Sequence, residues 1–109
     1  MVAIYYYKAR KQPQDKRVMR LGTLTWGFTH IKAGRHWGTK DTLVIVGCVL
    51  TYGDPVGPPQ GTTYRFRYRF PEAMTLDFGG REFTVVYQTG AARGEPKGAI
   101  TAFESGVIG

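Results

Sequence analysis

At 109 residues, 42% of them hydrophobic and 14% aromatic, the chain can fill one modest core; it is too short for several domains and too apolar for a disordered segment. Fifteen Lys and Arg against eight acids give a net charge of +7, which favours anionic partners. One cysteine, Cys48, excludes an intrachain disulfide or a CxxC pair.

The excess charge is unevenly placed. Residues 1–40 hold nine basic residues and one acid, Asp15, whereas residues 41–109 are almost neutral. Such asymmetry points to nucleic-acid or membrane contact. The opening Met-Val-Ala-Ile-Tyr-Tyr-Tyr-Lys has neither the basic start nor the long apolar run of a signal peptide. The longest apolar run, Leu43 to Leu50, is too short to span a bilayer as a helix. A soluble protein made in the cytoplasm is expected, free or built into a particle.

Residues 2–7 are rich in strand formers and predict a first strand. Residues 8–17 are mostly charged or amide-bearing and include Pro13, so they read as an exposed basic loop or arm. Val18 to Phe28 reads as a second strand whose inward face swaps at Gly22: Met19 and Leu21 share one parity, Leu24, Trp26 and Phe28 the other. His30 to Lys40, with two glycines and several basic residues, reads as a long turn. Thr42 to Tyr52 is apolar on both parities and predicts a central strand. Residues 53–61 carry three prolines and three glycines and predict a loop that cannot continue a ladder.

Tyr64-Arg65-Phe66-Arg67-Tyr68-Arg69-Phe70 has the period of a strand. One face carries four aromatics and the other a row of arginines, spaced about 6.6–6.8 Å apart. The aromatic side covers a core. The row suits an anionic partner, or is a solvated outer face whose stems cover neighbouring apolar surface. Thr75 to Phe78 and Arg81 to Gln88 flank Gly79-Gly80, a hairpin signal with Gly80 in the left-handed region and Asp77 near Arg81. Thr89 to Gly98 reads as a Gly-rich loop and Ala99 to Ile108 as a last strand. No amphipathic helix stands out. The expected fold is therefore all-β: one domain over 1–109, a small antiparallel barrel or sandwich of six or seven short strands with Gly/Pro-rich loops.

Catalytic signatures are missing. The single serine, Ser105, sits outside any G-x-S-x-G elbow, and no phosphate-cradling glycine motif occurs. His30, His36 and Cys48 match no zinc spacing, and Cys48 reads as an inert core thiol. No cofactor, metal or small-molecule substrate is implied, and a non-enzyme is expected.

The basic and aromatic residues point instead to binding. Candidate contacts with an anionic partner are Lys8, Arg10, Lys11, Lys16, Arg17, Arg35, Trp37, Arg65, Arg67 and Arg69. For Trp37 the competing role is core filling. The expected function is a non-catalytic β-domain, a structural subunit of a larger assembly with other protein subunits. Its basic N-terminal third would meet nucleic acid or a nucleic-acid-bearing particle such as a virion. Alternatives are a free-standing nucleic-acid-binding protein of OB or SH3-like type, and a small inhibitor of a nucleic-acid-binding enzyme.

Overall fold

A computed structural model describes residues 3–10, 12, 15–24, 26–35, 37–73, 78–92 and 95–105. In chain order the elements are β1 (Ala3–Tyr6), a 3-10 turn (Tyr7–Ala9), β2 (Lys16–Met19), α1 (Gly27–Arg35), α2 (Thr39–Tyr52), β3 (Asp54–Pro55), β4 (Thr63–Arg69), β5 (Glu82–Ala92) and β6 (Glu95–Glu104). The strands form one antiparallel sheet in the order β1-β2-β6-β5-β4-β3, curled into a half-barrel. The expected antiparallel β class holds, with two short helices added.

The aromatic strand forms as its alternation dictates. Phe66 and Phe70 are buried, Tyr64 and Tyr68 half-buried, and Arg65, Arg67 and Arg69 exposed. On β5, Phe83, Val85 and Tyr87 face the same core, meeting Tyr68, Phe66 and Tyr64 in register. Phe70, Phe78 and Phe83 form a cluster of edge-on rings with centroids 5.6–5.9 Å apart. Each buried phenylalanine contributes about 1.5–3 kcal/mol by leaving water.

The predicted central strand is instead α2. Of its buried residues, Thr42, Ile45, Val46, Val49 and Leu50 recur at i, i+3, i+4, i+7 and i+8, one stripe of a helix, and Gly47 is covered by the Tyr5 ring. A run apolar on both parities satisfies a buried strand and a buried helix alike, so parity misled the reading. The Gly38 carbonyl accepts from both the backbone N–H and the Oγ1 hydroxyl of Thr42, and Asp41 lies in the first turn, where a negative charge suits the helix dipole. The expected long turn over His30 to Lys40 is instead largely helical: α1 runs to Arg35 and α2 starts at Thr39. The helices share one core with the aromatic face of β4 and β5; Tyr52 packs on Tyr68 and Trp37 stands edge-on to Phe83.

Further boundaries shift. β2 ends at Met19 and, among the described residues, no strand continues to Phe28; a Thr23–Trp26 bridge precedes α1. Asp54 and Pro55 do extend the ladder, as the edge strand β3 on Arg67 and Phe66, a place where proline's missing N–H costs nothing. The partner of β5 is β4, with Phe70 N–H bonded to the Arg81 carbonyl, so the hairpin connection runs over 70–81. Gly80 does take positive φ, +75°. The strand expected at Thr75 lies largely outside the described residues, as does Asp77. Thr89 to Gly98 is no open loop: β5 runs to Ala92 and β6 starts at Glu95, with bulges after Val86 and Gln88. β6 ends at Glu104, and residues 106–109 lie outside the described set.

Gly98 is where β6 crosses β2, opposite Met19. Its φ is +81°, and a Cβ there would lie 2.3 Å from the Val18 carbonyl oxygen, so the two backbones meet only because the residue is glycine. Among the described residues no helix is long and apolar enough to cross a membrane.

Candidate anion-binding face

The face of the sheet turned away from the helices is organised by register. Arg65 pairs with Val86, Arg67 with Thr84 and Arg69 with Glu82; on the far side of β5, Val86 pairs with Thr101 and Thr84 with Phe103. Paired residues point to one side of an antiparallel sheet, so the three arginines stand beside a patch of Thr84, Val86, Thr101 and Phe103.

Glu82 is shared by two of them, 3.4 Å from Arg67 Nε and 3.8 Å from Arg69. Arg69 also donates to the Gly80 carbonyl at 2.8 Å. Exposed pairs of this length contribute little stability, and both guanidinium groups keep much of their surface in solvent. Next to them Arg81 grips Glu104 with two nitrogens, at 2.8 and 3.1 Å. That fork holds the Glu104 carboxyl below its usual pKa. Thr84 Oγ1 and Ser105 Oγ lie 2.7 Å apart. Arg67, Arg69, Gly80, Arg81, Glu82, Glu104 and Ser105 line a shallow, open hollow of about 380 Å³ where β4 ends and β5 begins.

The other predicted contacts divide. Arg17 is buried. Its guanidinium lies between the rings of Tyr7 and Phe66, at 4.3 and 3.7 Å, and donates to the carbonyls of Leu50 and Gly53 at 3.1 and 2.9 Å. It thereby satisfies carbonyls that the end of α2 leaves open, and a cation is favoured at that end of the dipole. Asp15 is buried too, paired with Arg10 at 2.9 Å, so residues 8–17 are only partly an exposed arm. Lys8, Arg10 and Lys16 are exposed, the first two beside the Tyr7 ring at 5.2 Å. Lys8 and Arg10 thus lie with Arg17 on the aromatic side of β4, opposite the arginine row, whereas Lys16 precedes Arg17 on β2 and points to the other face. Trp37 is half-buried against Phe83, its ring at 81° to it, and fills the core. Arg35 ends α1 and its side chain lies outside the described set, as does Lys11.

Arg81, Glu82, Glu104 and Ser105 were not among the candidate contacts; pairing β5 with the arginine strand would have found Glu82. Cys48 lies half-buried on α2, not mid-strand, and burial pushes its thiol pKa up. His30 Nδ1 donates to the Leu24 carbonyl at 2.7 Å and ties α1 to the turn before it. His36 lies outside the described residues. Among the described residues no three His, Cys, Asp or Glu side chains gather as metal ligands would.

The chain matches no protein-family model and no solved structure. It is 36% identical over 93 residues to the 3-phosphoshikimate 1-carboxyvinyltransferase of Desulforudis audaxviator (strain MP104C), a similarity that covers 77% of this chain and 21% of that enzyme. The chain thus spans about a fifth of the length of the curated relative it matches.

Proposed function

We propose that this chain is a non-catalytic β-domain, a subunit of a larger assembly, whose open sheet face meets nucleic acid or a nucleic-acid-bearing particle. The observation that carries this reading is the row Arg65, Arg67 and Arg69, exposed on the face opposite both helices. Guanidinium forks match phosphate oxygens and tolerate any base sequence. The neighbouring Phe103 and Val86, half-buried on that face, add apolar surface of the kind bases lie on. The net charge of +7 draws a polyanion to the molecule from a distance.

The test is fluorescence anisotropy with a labelled single-stranded oligonucleotide across a salt series. Binding by counterion release loses affinity on a log–log line with a slope of about −0.7 per phosphate contacted. The expected result is a slope of about −2, for three arginines. Absence of salt-dependent binding removes nucleic acid as the partner. The assembly half of the reading expects a defined oligomer by light scattering without nucleic acid; a strict monomer favours a free-standing binder.

A further inference from the structure

The hollow at the end of the arginine row has features a row of solvated arginines lacks. Arg81 is fixed by the two-pronged grip of Glu104, and Arg69 is anchored to the Gly80 carbonyl. Glu82 stands between Arg67 and Arg69 at 3.4 and 3.8 Å, beyond the roughly 2.7–2.9 Å of a charge-assisted hydrogen bond. Its pairings with them are long and weak, so an incoming anion can displace them. Three guanidinium groups against two carboxylates leave the hollow one positive charge in excess. The Ser105 hydroxyl lies on the same wall.

We infer that this hollow takes a phosphate monoester, the terminal phosphate of a nucleic-acid strand lying along the row. The inference rests on the anionic-partner reading above. A terminal phosphate presents three unesterified oxygens and approaches two negative charges near neutral pH. That suits the forks of Arg67 and Arg69 together with the Ser105 hydroxyl. An internal phosphodiester offers two free oxygens and one charge. Position argues the same way: β4 stops at Arg69, and the hollow, bordered by the Arg81–Glu104 pair, lies at that end of the row. The same phosphate chemistry is offered by free phosphate or a small phosphorylated molecule.

Three measurements separate the sources. Oligonucleotides of one sequence, with and without a terminal phosphate, are compared by anisotropy at one salt concentration. Inorganic phosphate is titrated into the 15N-labelled protein while the amides of Gly80, Arg81, Glu82 and Ser105 are followed. The titration is repeated on Glu82→Gln. The phosphorylated strand should bind about tenfold tighter, the worth of one hydrogen bond to a charged group. Inorganic phosphate should shift those four amides saturably at millimolar concentration. Glu82→Gln, which removes the competing carboxylate, should bind phosphate several-fold tighter. Equal affinity for the two strands, with the four amides unmoved by phosphate, overturns the inference and leaves the anionic-partner reading standing. Phosphate shifts without binding of either strand uphold the hollow as a site for free or small-molecule phosphate and overturn the strand terminus as its occupant. If neither phosphate nor strand binds, both readings fall.

Discussion

Arg17 of β2 lies 3.7 Å over the ring of Phe66 of β4, although β6 and β5 separate those two strands in the sheet. The contact crosses the inside of the curl. With the Tyr7 hydroxyl bonded to the Asp54 carboxylate, it draws the first and last strands of the sheet toward each other.

Arg17 should therefore be a stability residue. Arg17→Lys loses the planar stack between the two rings and the reach that brings Nη1 to both carbonyls, so it should cost about 2–3 kcal/mol in urea unfolding. The salt slope for oligonucleotide binding should not change. A fully stable Arg17→Lys with a flattened slope would return Arg17 to the partner surface.

The arginine row should behave in the opposite way. Changing Arg65, Arg67 and Arg69 together to glutamine leaves the buried face of β4 untouched, so the midpoint of unfolding should move little. The log–log salt slope should flatten by roughly 2 units for a single strand and up to 3 for a duplex. Lys8→Gln with Arg10→Gln, on the other side of β4, should change it by less than 1 unit. The reverse pattern would make the basic N-terminal group the contact.

Gly98→Ala should destabilise by about 2 kcal/mol or more, combining positive φ with collision against a backbone oxygen that cannot swing away. Gly80 also has positive φ, but an added Cβ would meet only the flexible Glu72 side chain, at 3.3 Å. Gly80→Asn should be tolerated within about 1 kcal/mol, and Gly80→Val should cost more. Equal effects of Gly98→Ala and Gly80→Asn would contradict this account of the crossing.

Cys48 should label slowly in the native protein, because burial holds its thiol pKa up and little thiolate exists at neutral pH. Iodoacetamide should react several-fold faster after unfolding in urea. Cys48→Ser should cost about 1 kcal/mol, near the lower end for burying a hydroxyl, since the position is only half-buried.

Glu104 gives a pH dependence. Its folded pKa is lowered by the Arg81 fork, so its contribution is fully present above the ordinary carboxylate value of about 4.3 and is lost as pH falls through the folded value. The stability gap between wild type and Glu104→Gln should thus be larger at neutral pH than at pH near 3. A gap independent of pH would show that the fork contributes nothing through charge.

The strand at Tyr64 to Phe70 was legible because a period of two with arginine on one parity has one structural solution. The helix over Thr39–Tyr52 was not, because its stripe begins at Thr42, a polar residue by composition that is fully buried here. Without that position the apolar residues satisfy both periods. The burial of Arg17 was not legible for a related reason. A charge in a charged segment reads as solvent-facing until two open carbonyls at a helix end, 33 and 36 residues away in sequence, come to face it. The hollow at the end of the arginine row rests on long-range pairing of β4, β5 and β6, which no local pattern encodes.

The β2–β6 junction has a consequence for how the molecule opens. Among the described residues the N-terminal hairpin joins the rest of the sheet through one register pair, Met19 with Gly98, whereas β4 and β5 share seven. Few ladder hydrogen bonds have to break for the hairpin to lift; what holds it is side-chain contact through Arg17, Met19 and Tyr5. Amides of β1 and β2 should exchange with deuterium through a local opening, at lower free energy than those of β4 and β5. The fold thus contains a seam, and the strands that carry the arginines lie on its more protected side.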